Sequence, residues 1–317
     1  MGRYIITGGT NGLGRALARE FVSKGNDVLI TSRRKKAVLD ACREVKREAR
    51  MLPNYISGGK VYGVECDITN YDSVVSLKNF SHQYMDEVDG WICNAGQSGS
   101  YKDFIDQDTE TIKEVVNTNL FGTMLCAQQA LQLFKEQNTK GSIFFVDGAG
   151  ADGISTPGYA VYGSTKAGIR QLWESMKEES NNMDIYIHML SPGMVLTPLL
   201  LEGTNTEELS PVFNILCEQP EVPAAFLAIR ANELLNTKEN CYIRYLSIPR
   251  ITWRFMTSPF RRNKHFDEDT GLKLYSDKFE IRVQRYSNDI IRERESKKRE
   301  MLYVCALGTI LTFSVFA

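Results

Sequence analysis

Short apolar runs alternate with longer amphipathic ones from the first residue to about residue 235. The runs at residues 4–7, 27–31, 60–66, 90–93, 142–146 and 184–190 read as strands. Several are almost continuously apolar, as a sheet covered on both faces requires. Residues 14–24, 37–50, 73–85 and 163–179 between them read as helices. Strand-helix alternation of this kind predicts an α/β domain over residues 1–235, a doubly wound parallel sheet with right-handed crossovers. No internal repeat or low-complexity linker interrupts it.

The pattern changes after residue 236. Residues 242–266 are rich in arginine and aromatic side chains, including Arg250, Trp253, Arg254, Phe255, Phe260, Arg261 and Arg262. They suit either a lid over a pocket or a patch on a membrane surface. A charged stretch from about 273 to 300 reads as helix, so residues 236–300 form a C-terminal helical extension. Residues 301–317 carry no charge, and this hydrophobic tail reads as a membrane anchor, although it is slightly shorter than the ~20 residues of a spanning helix. The alternative is a helix packed on the domain. The first strand begins almost at Met1, so no secretory or transit segment is read here.

The chain has 317 residues and a formal net charge of −1, which gives no reason to expect nucleic acid as a partner. Its seven cysteines lack CxxC spacing and its three histidines, His82, His188 and His265, lie far apart, so neither set forms a metal motif. Buried or free thiols in a reducing compartment are expected.

Chemistry concentrates at strand ends. After the first strand comes Thr7-Gly8-Gly9-Thr10-Asn11-Gly12-Leu13-Gly14, which opens a helix. Glycines there let backbone approach a pyrophosphate, and the helix N-terminus offers it free N–H groups and a positive dipole end. This is the turn of a Rossmann-type dinucleotide site. The second strand ends in Thr31-Ser32-Arg33-Arg34, without the acid that usually holds a ribose diol; Arg33 suits a 2′-phosphate, so NADPH is expected as cofactor. Asp67 and Ile68 end the third strand, where Asp67 faces the crevice or caps the next helix. Asn94-Ala95-Gly96 ends the fourth, where small residues allow close approach.

Tyr162 and Lys166 are spaced i, i+4 on the helix after the fifth strand and so share a face. A lysine ammonium beside a phenol favours phenolate, so Tyr162 is expected to exchange a proton with a carbonyl oxygen while the cofactor exchanges hydride with its carbon.

With TGxxxGxG, Asn94-Ala95-Gly96, Asn119 in TNLFG, the Tyr162/Lys166 pair and Ser191-Pro192-Gly193 in this order, the chain resembles the short-chain dehydrogenase/reductase family over about three-quarters of its length. The resemblance implies Tyr162, Lys166 and Asn119 as catalytic residues, Asn119 holding a water in a relay with Lys166. It implies that Lys166 binds the nicotinamide ribose, and that Pro192, Gly193, Val195 and Thr197 line the nicotinamide, with Thr197 near its carboxamide or the diphosphate. It also implies pairing of subunits through long helices, as a homo- or hetero-oligomer.

One position departs from the family. The serine expected about thirteen residues before the tyrosine falls on Ala149 counting back, or Gly148 counting along the strand. Ser155, Thr156, Asp147 or loop backbone could stand in, and the lost side chain is expected to make room for a bulky flat substrate. Asp147-Gly-Ala-Gly150, Ser155-Thr-Pro157, residues 191–197 and the tail segment around Ile248-Pro249-Arg250 are similar to chlorophyll b reductases. That narrower resemblance implies reduction of the C7-formyl of chlorophyll b by NADPH at a thylakoid membrane. Another lipophilic carbonyl, such as a sterol or sphingoid ketone, or an inert NADP-binding scaffold, are the alternatives.

Overall fold

The structure is a computed structural model and describes residues 1–53 and 55–284. In chain order its elements are β1 (Arg3–Ile6), α1 (Gly12–Ser23), β2 (Asp27–Ser32), α2 (Lys35–Ala49), β3 (Val61–Glu65), α3 (Tyr71–Tyr84), β4 (Gly90–Cys93), α4 (Thr109–Val116), α5 (Thr123–Gln137), β5 (Gly141–Val146), α6 (Ala160–Glu179), β6 (Ile185–Ser191), α7 (Pro198–Leu201), α8 (Thr206–Leu216), α9 (Glu221–Leu234), β7 (Tyr242–Arg244) and α10 (Ile248–Met256). The strands form one parallel sheet in the order β3-β2-β1-β4-β5-β6-β7. This is the doubly wound α/β sheet expected from the alternating pattern.

Side-chain alternation along each strand feeds two cores. Ile5, Trp91, Ile143, Phe145, Ile187 and Met189 pack with α3, α5 and α6 on one face. Tyr4, Ile6, Val28, Ile92, Phe144 and Leu190 pack with α1, α2 and α9 on the other. The order in which strands are added reverses between β1 and β4, and the crevice beyond their carboxyl ends is where ligands bind in such folds.

The segment read as extension contributes to the sheet. β7 is only Tyr-Ile-Arg, too short to register as a periodic run, and pairs with the end of β6. A second compact unit begins at Ser276, of which residues 276–284 are described. The rest of the charged stretch to residue 300 and the hydrophobic tail at 301–317 lie outside the described residues. Among the described residues no helix is long and apolar enough to cross a membrane.

The six described cysteines are unpaired, and burial pushes the Cys42 and Cys66 thiols up to about 11. Two histidines are locked neutral. Burial, with Lys140 nearby, lowers His188 to about 3, its ring stacked on Phe144. Burial, with Lys264 beside it, lowers His265 to about 4. Below the ordinary imidazole value the unfolded chain takes up protons that the folded chain refuses, so stability is lost as pH falls. Urea midpoints should report a loss on the order of 3 kcal/mol between pH 7 and pH 5, about half of it absent in His188→Phe.

Candidate active site

A cleft of about 490 Å³ opens at the carboxyl ends of β1 to β6. One end is the glycine turn. Gly8 and Gly12 take left-handed φ values of +66° and +52°, which few side-chain-bearing residues adopt. A Cβ at Gly14 would lie 2.4 Å from both the Asn94 side chain and the Gly8 carbonyl, so the helix start is packed backbone against loop. α1 has no acidic residue in its first turn, leaving its positive end uncompensated for an anion. The Asn11 side chain accepts from Gly12 N–H and caps the helix. The turn therefore fits the diphosphate of a dinucleotide.

Asn94 ties this turn to β4: its amide donates to the Thr7 and Gly8 carbonyls at 2.9 and 3.2 Å. Thr7 is buried, and its hydroxyl accepts from the N–H groups of Asn94 and Ala95. Thr7 thus braces the site, and neither it nor Thr10 lines the cleft. Gly8, Asn11, Gly12, Leu13, Gly14, Ser32, Arg33, Asp67, Ile68, Asn94, Ala95 and Gly96 do. Arg33 is exposed at the end of β2, as a guanidinium meant for a phosphate would be. Asp67 is not the helix cap: Asn70 caps α3, accepting from Ser73 N–H, while Asp67 accepts from the Thr69 N–H and hydroxyl.

The opposite wall follows β6. Pro192, Gly193, Val195 and Thr197 line it. Gly193 has φ +73°, and a Cβ there would come within 2.6 Å of Leu246. Thr197 caps α7 and its methyl lies 3.2 Å from where a Gly12 Cβ would be, so the two loops meet across the cleft. Met194, Pro198, Leu199 and Leu200 add an apolar lining.

Tyr162 and Lys166 face this space together from α6. Lys166 donates to the Val146 carbonyl at 2.9 Å and sits 5.5 Å from the Tyr162 ring centre. Burial lowers Lys166 to about 8, against a small opposing pull from Asp147. The expectation that lysine would lower the Tyr162 phenol is reversed in the protein alone. Burial pushes that phenol above its ordinary value, and the Asp147 and Tyr159 charges push the same way.

Asn119 lies just behind the cleft. It is fully buried in a π-helical turn, Asn117–Gly122, a bulge type common at functional sites. Its amide donates to the Gln97 carbonyl and the Thr165 hydroxyl, and its oxygen accepts from Gln97 N–H. It fixes the loop after β4 against the helix that carries Tyr162.

The missing serine has a structural answer. A Cβ at Gly148 would lie 2.1 Å from the Tyr162 hydroxyl. The room vacated there is filled by Tyr162 and is not left for a flat substrate, contrary to the sequence-based expectation. Ala149 is exposed and does line the cleft. Among the suggested stand-ins, Ser155 is exposed and outside the lining, and Thr156 turns to the Tyr159 carbonyl at 3.2 Å. Asp147 is buried, accepts from Tyr242 hydroxyl, and is raised above the usual carboxylate range by that burial. A hydroxyl that sequence reasoning missed is Tyr159, on the cleft wall with its ring 6.3 Å from Tyr162 and its hydroxyl donating to Leu200 O. Its place three residues before Tyr162, at the N-cap of α6, was the available signal.

A family model described as short chain dehydrogenase matches residues 3–208. The chain belongs to this family. Within it, the chain is 38% identical over 280 residues to the probable chlorophyll(ide) b reductase NYC1, chloroplastic, of Arabidopsis thaliana, covering 86% of this chain and 56% of that protein. It is 37% identical over 275 residues to the chlorophyll(ide) b reductase NOL, chloroplastic, of Oryza sativa subsp. japonica, covering 84% and 78%. The chain thus spans little more than half the length of the NYC1 proteins. A solved short-chain dehydrogenase/reductase from Mycobacterium marinum superposes with a TM-score of 0.66 at 22% identity, covering 77% of this chain and 94% of that one. This short-chain dehydrogenase therefore shares its fold with solved members.

Proposed function

We propose that this protein is an NADPH-dependent reductase of a carbonyl on a large lipophilic substrate, specifically the C7-formyl of chlorophyll b, giving the hydroxymethyl product. The observation that carries the reading is Tyr162 and Lys166 presented together at the end of a cleft whose other end is an anion-ready glycine turn. The 37–39% identity to proteins named chlorophyll(ide) b reductase supports the substrate. The apolar wall of Met194, Pro198, Leu199 and Leu200 suits a pigment.

NADPH, when bound, supplies hydride; solved relatives in complex with 5-hydroxy-NADP and with NADPH have the same fold. Gly8, Asn11, Gly12, Leu13 and Gly14 would hold the diphosphate, Ser32 and Arg33 the 2′-phosphate, Asp67 and Ile68 the adenine side, and Ala95, Gly96, Pro192, Gly193, Val195 and Thr197 the nicotinamide side. Thr7, Thr10 and Asn94 shape that cradle. Tyr162 donates a proton to the carbonyl oxygen, Lys166 binds the ribose and stabilises the resulting phenolate, and Asn119 positions the relay behind them. Tyr159 and the loop at Gly148 and Ala149 orient the carbonyl in place of serine. The chloroplast, with attachment to the thylakoid membrane through residues 301–317, is the location this substrate requires, and pairing with itself or a related subunit follows the family habit.

Incubation with chlorophyll b and NADPH should remove the chlorophyll b absorbance band. Persistence of that band while a sterol or sphingoid ketone is reduced overturns the pigment assignment, and NADPH binding without any turnover overturns the enzyme. Arg33→Ala should raise the KM for NADPH roughly 10- to 100-fold and leave that for NADH nearly unchanged, measured by initial rates with each cofactor. Equal effects would refute the 2′-phosphate contact.

A further inference from the structure

Two carboxylates line the cleft among the described residues: Asp67 just past β3 and Asp147 just past β5. Asp147 is 7% exposed, and it lies between the two points at which this strand end meets the proton-donor pair. The carbonyl of Val146, just before it, accepts from the Lys166 ammonium at 2.9 Å. Gly148, just after it, is so close to Tyr162 that a Cβ there would lie 2.1 Å from the phenol hydroxyl. A carboxylate is costly to bury unless hydrogen bonds and opposite charge hold it.

The groups that hold it come from the far edge of the sheet. The Tyr242 hydroxyl on β7 donates to Asp147, reaching past β6, and Ser191 at the end of β6 is a second hydrogen-bond partner. The Tyr242 ring carries two guanidiniums, Arg170 at 4.7 Å from its centre and Arg244 at 4.3 Å. Lys166 and Arg244 add opposite charge to the carboxylate. Asp147 in turn acts on both members of the pair. Its charge works against burial at Lys166, and at Tyr162 it joins Tyr159 in favouring the neutral phenol. An anion at this point thus favours ammonium on the lysine and phenol on the tyrosine, the two forms that can deliver a proton.

We propose that Asp147 is a positioning residue of the reaction: a buried anion, tied to β7 through Tyr242, that keeps the protons on Tyr162 and Lys166 until a carbonyl oxygen takes one. This role rests on the reading of Tyr162 and Lys166 as the proton-donating pair, but not on which carbonyl is reduced. A bare tether between β5 and β7 would use the same hydrogen bond and would not need the charge.

Asp147→Asn separates the two, because the amide keeps the volume and an oxygen for Tyr242 but loses the charge. The full chain, carrying isotope-labelled lysine, is titrated by NMR, with the Lys166 signal identified by its loss in Lys166→Arg. In Asp147→Asn, Lys166 should titrate lower than in the wild type by roughly half a pH unit or more. Asp147→Ser, neutral and smaller, should do the same and guards against a fault peculiar to asparagine. Tyr242→Phe, which loses the tether and keeps the carboxylate, should move the titration less. An unmoved or raised titration in both neutral variants overturns the proposal, and so does a larger move in Tyr242→Phe. With chlorophyll b and NADPH, the fall of kcat/KM at rising pH should move in the same direction in Asp147→Asn. The NMR titration needs no turnover, so an enzyme that leaves chlorophyll b untouched would sink the pigment assignment and leave this result standing.

Discussion

Gly148→Ser should lower kcat by more than about 100-fold on every carbonyl tested, small aldehydes included. The serine Cβ would have to occupy a point 2.1 Å from the Tyr162 hydroxyl. Either the phenol swings out of the cleft or the strand end shifts, and both misplace the proton donor. Gly148→Ala should do nearly the same, because the conflict arises at Cβ and not at the hydroxyl. Ala149→Ser should remain within a few-fold of the wild type, its side chain being exposed. NADPH binding, followed by fluorescence, should survive in all three. A Gly148→Ser enzyme with normal turnover would show that Tyr162 works from another position.

This contrast was beyond the reach of sequence. Counting residues could not choose between Gly148 and Ala149, since a one-residue change of register reverses which side of a strand end faces the cleft. Most of the six longer strands were legible because burial on both faces demands near-continuous apolar runs, although β3, at the sheet edge, is only part-buried, and the glycine turn because backbone approach demands glycine. β7 was not legible: three residues, Tyr242 to Arg244, carry no period, and their place is set by pairing with β6. The Tyr162 and Lys166 pair was read from spacing alone. Its electrostatics could not be, because they depend on burial, which raises the phenol and lowers the amine. Likewise Arg254 looked like one arginine among several until Glu218 was seen to draw it inward.

Tyr162→Phe should cost between about 100- and 10,000-fold in kcat, the usual contribution of a positioned proton donor, while the dissociation constant for NADPH changes little. The lysine beside it makes a pH signature. Lys166 is lowered to about 8, so its ammonium is present below that value and lost above it. The ammonium stabilises the phenolate left after proton donation, and kcat/KM for reduction should therefore fall as pH rises through about 8. Lys166→Arg, which keeps its charge throughout, should lose that limb at a lower plateau. A rate that climbs across the same range would contradict the assigned role.

Glu218 has a mechanical consequence. Burial pushes its carboxyl up, but Lys264, Arg254 and Arg261 outweigh this and hold it below the usual range. Its backbone meanwhile pairs with Val195, accepting from Leu196 N–H at 2.9 Å and donating to Met194 O at 3.1 Å. Its side chain grips the outer segment and its main chain grips the cleft wall. A pull on α10 is thus passed through Glu218 to Met194 and Val195, so the outer segment and the mouth through which substrate enters are mechanically linked.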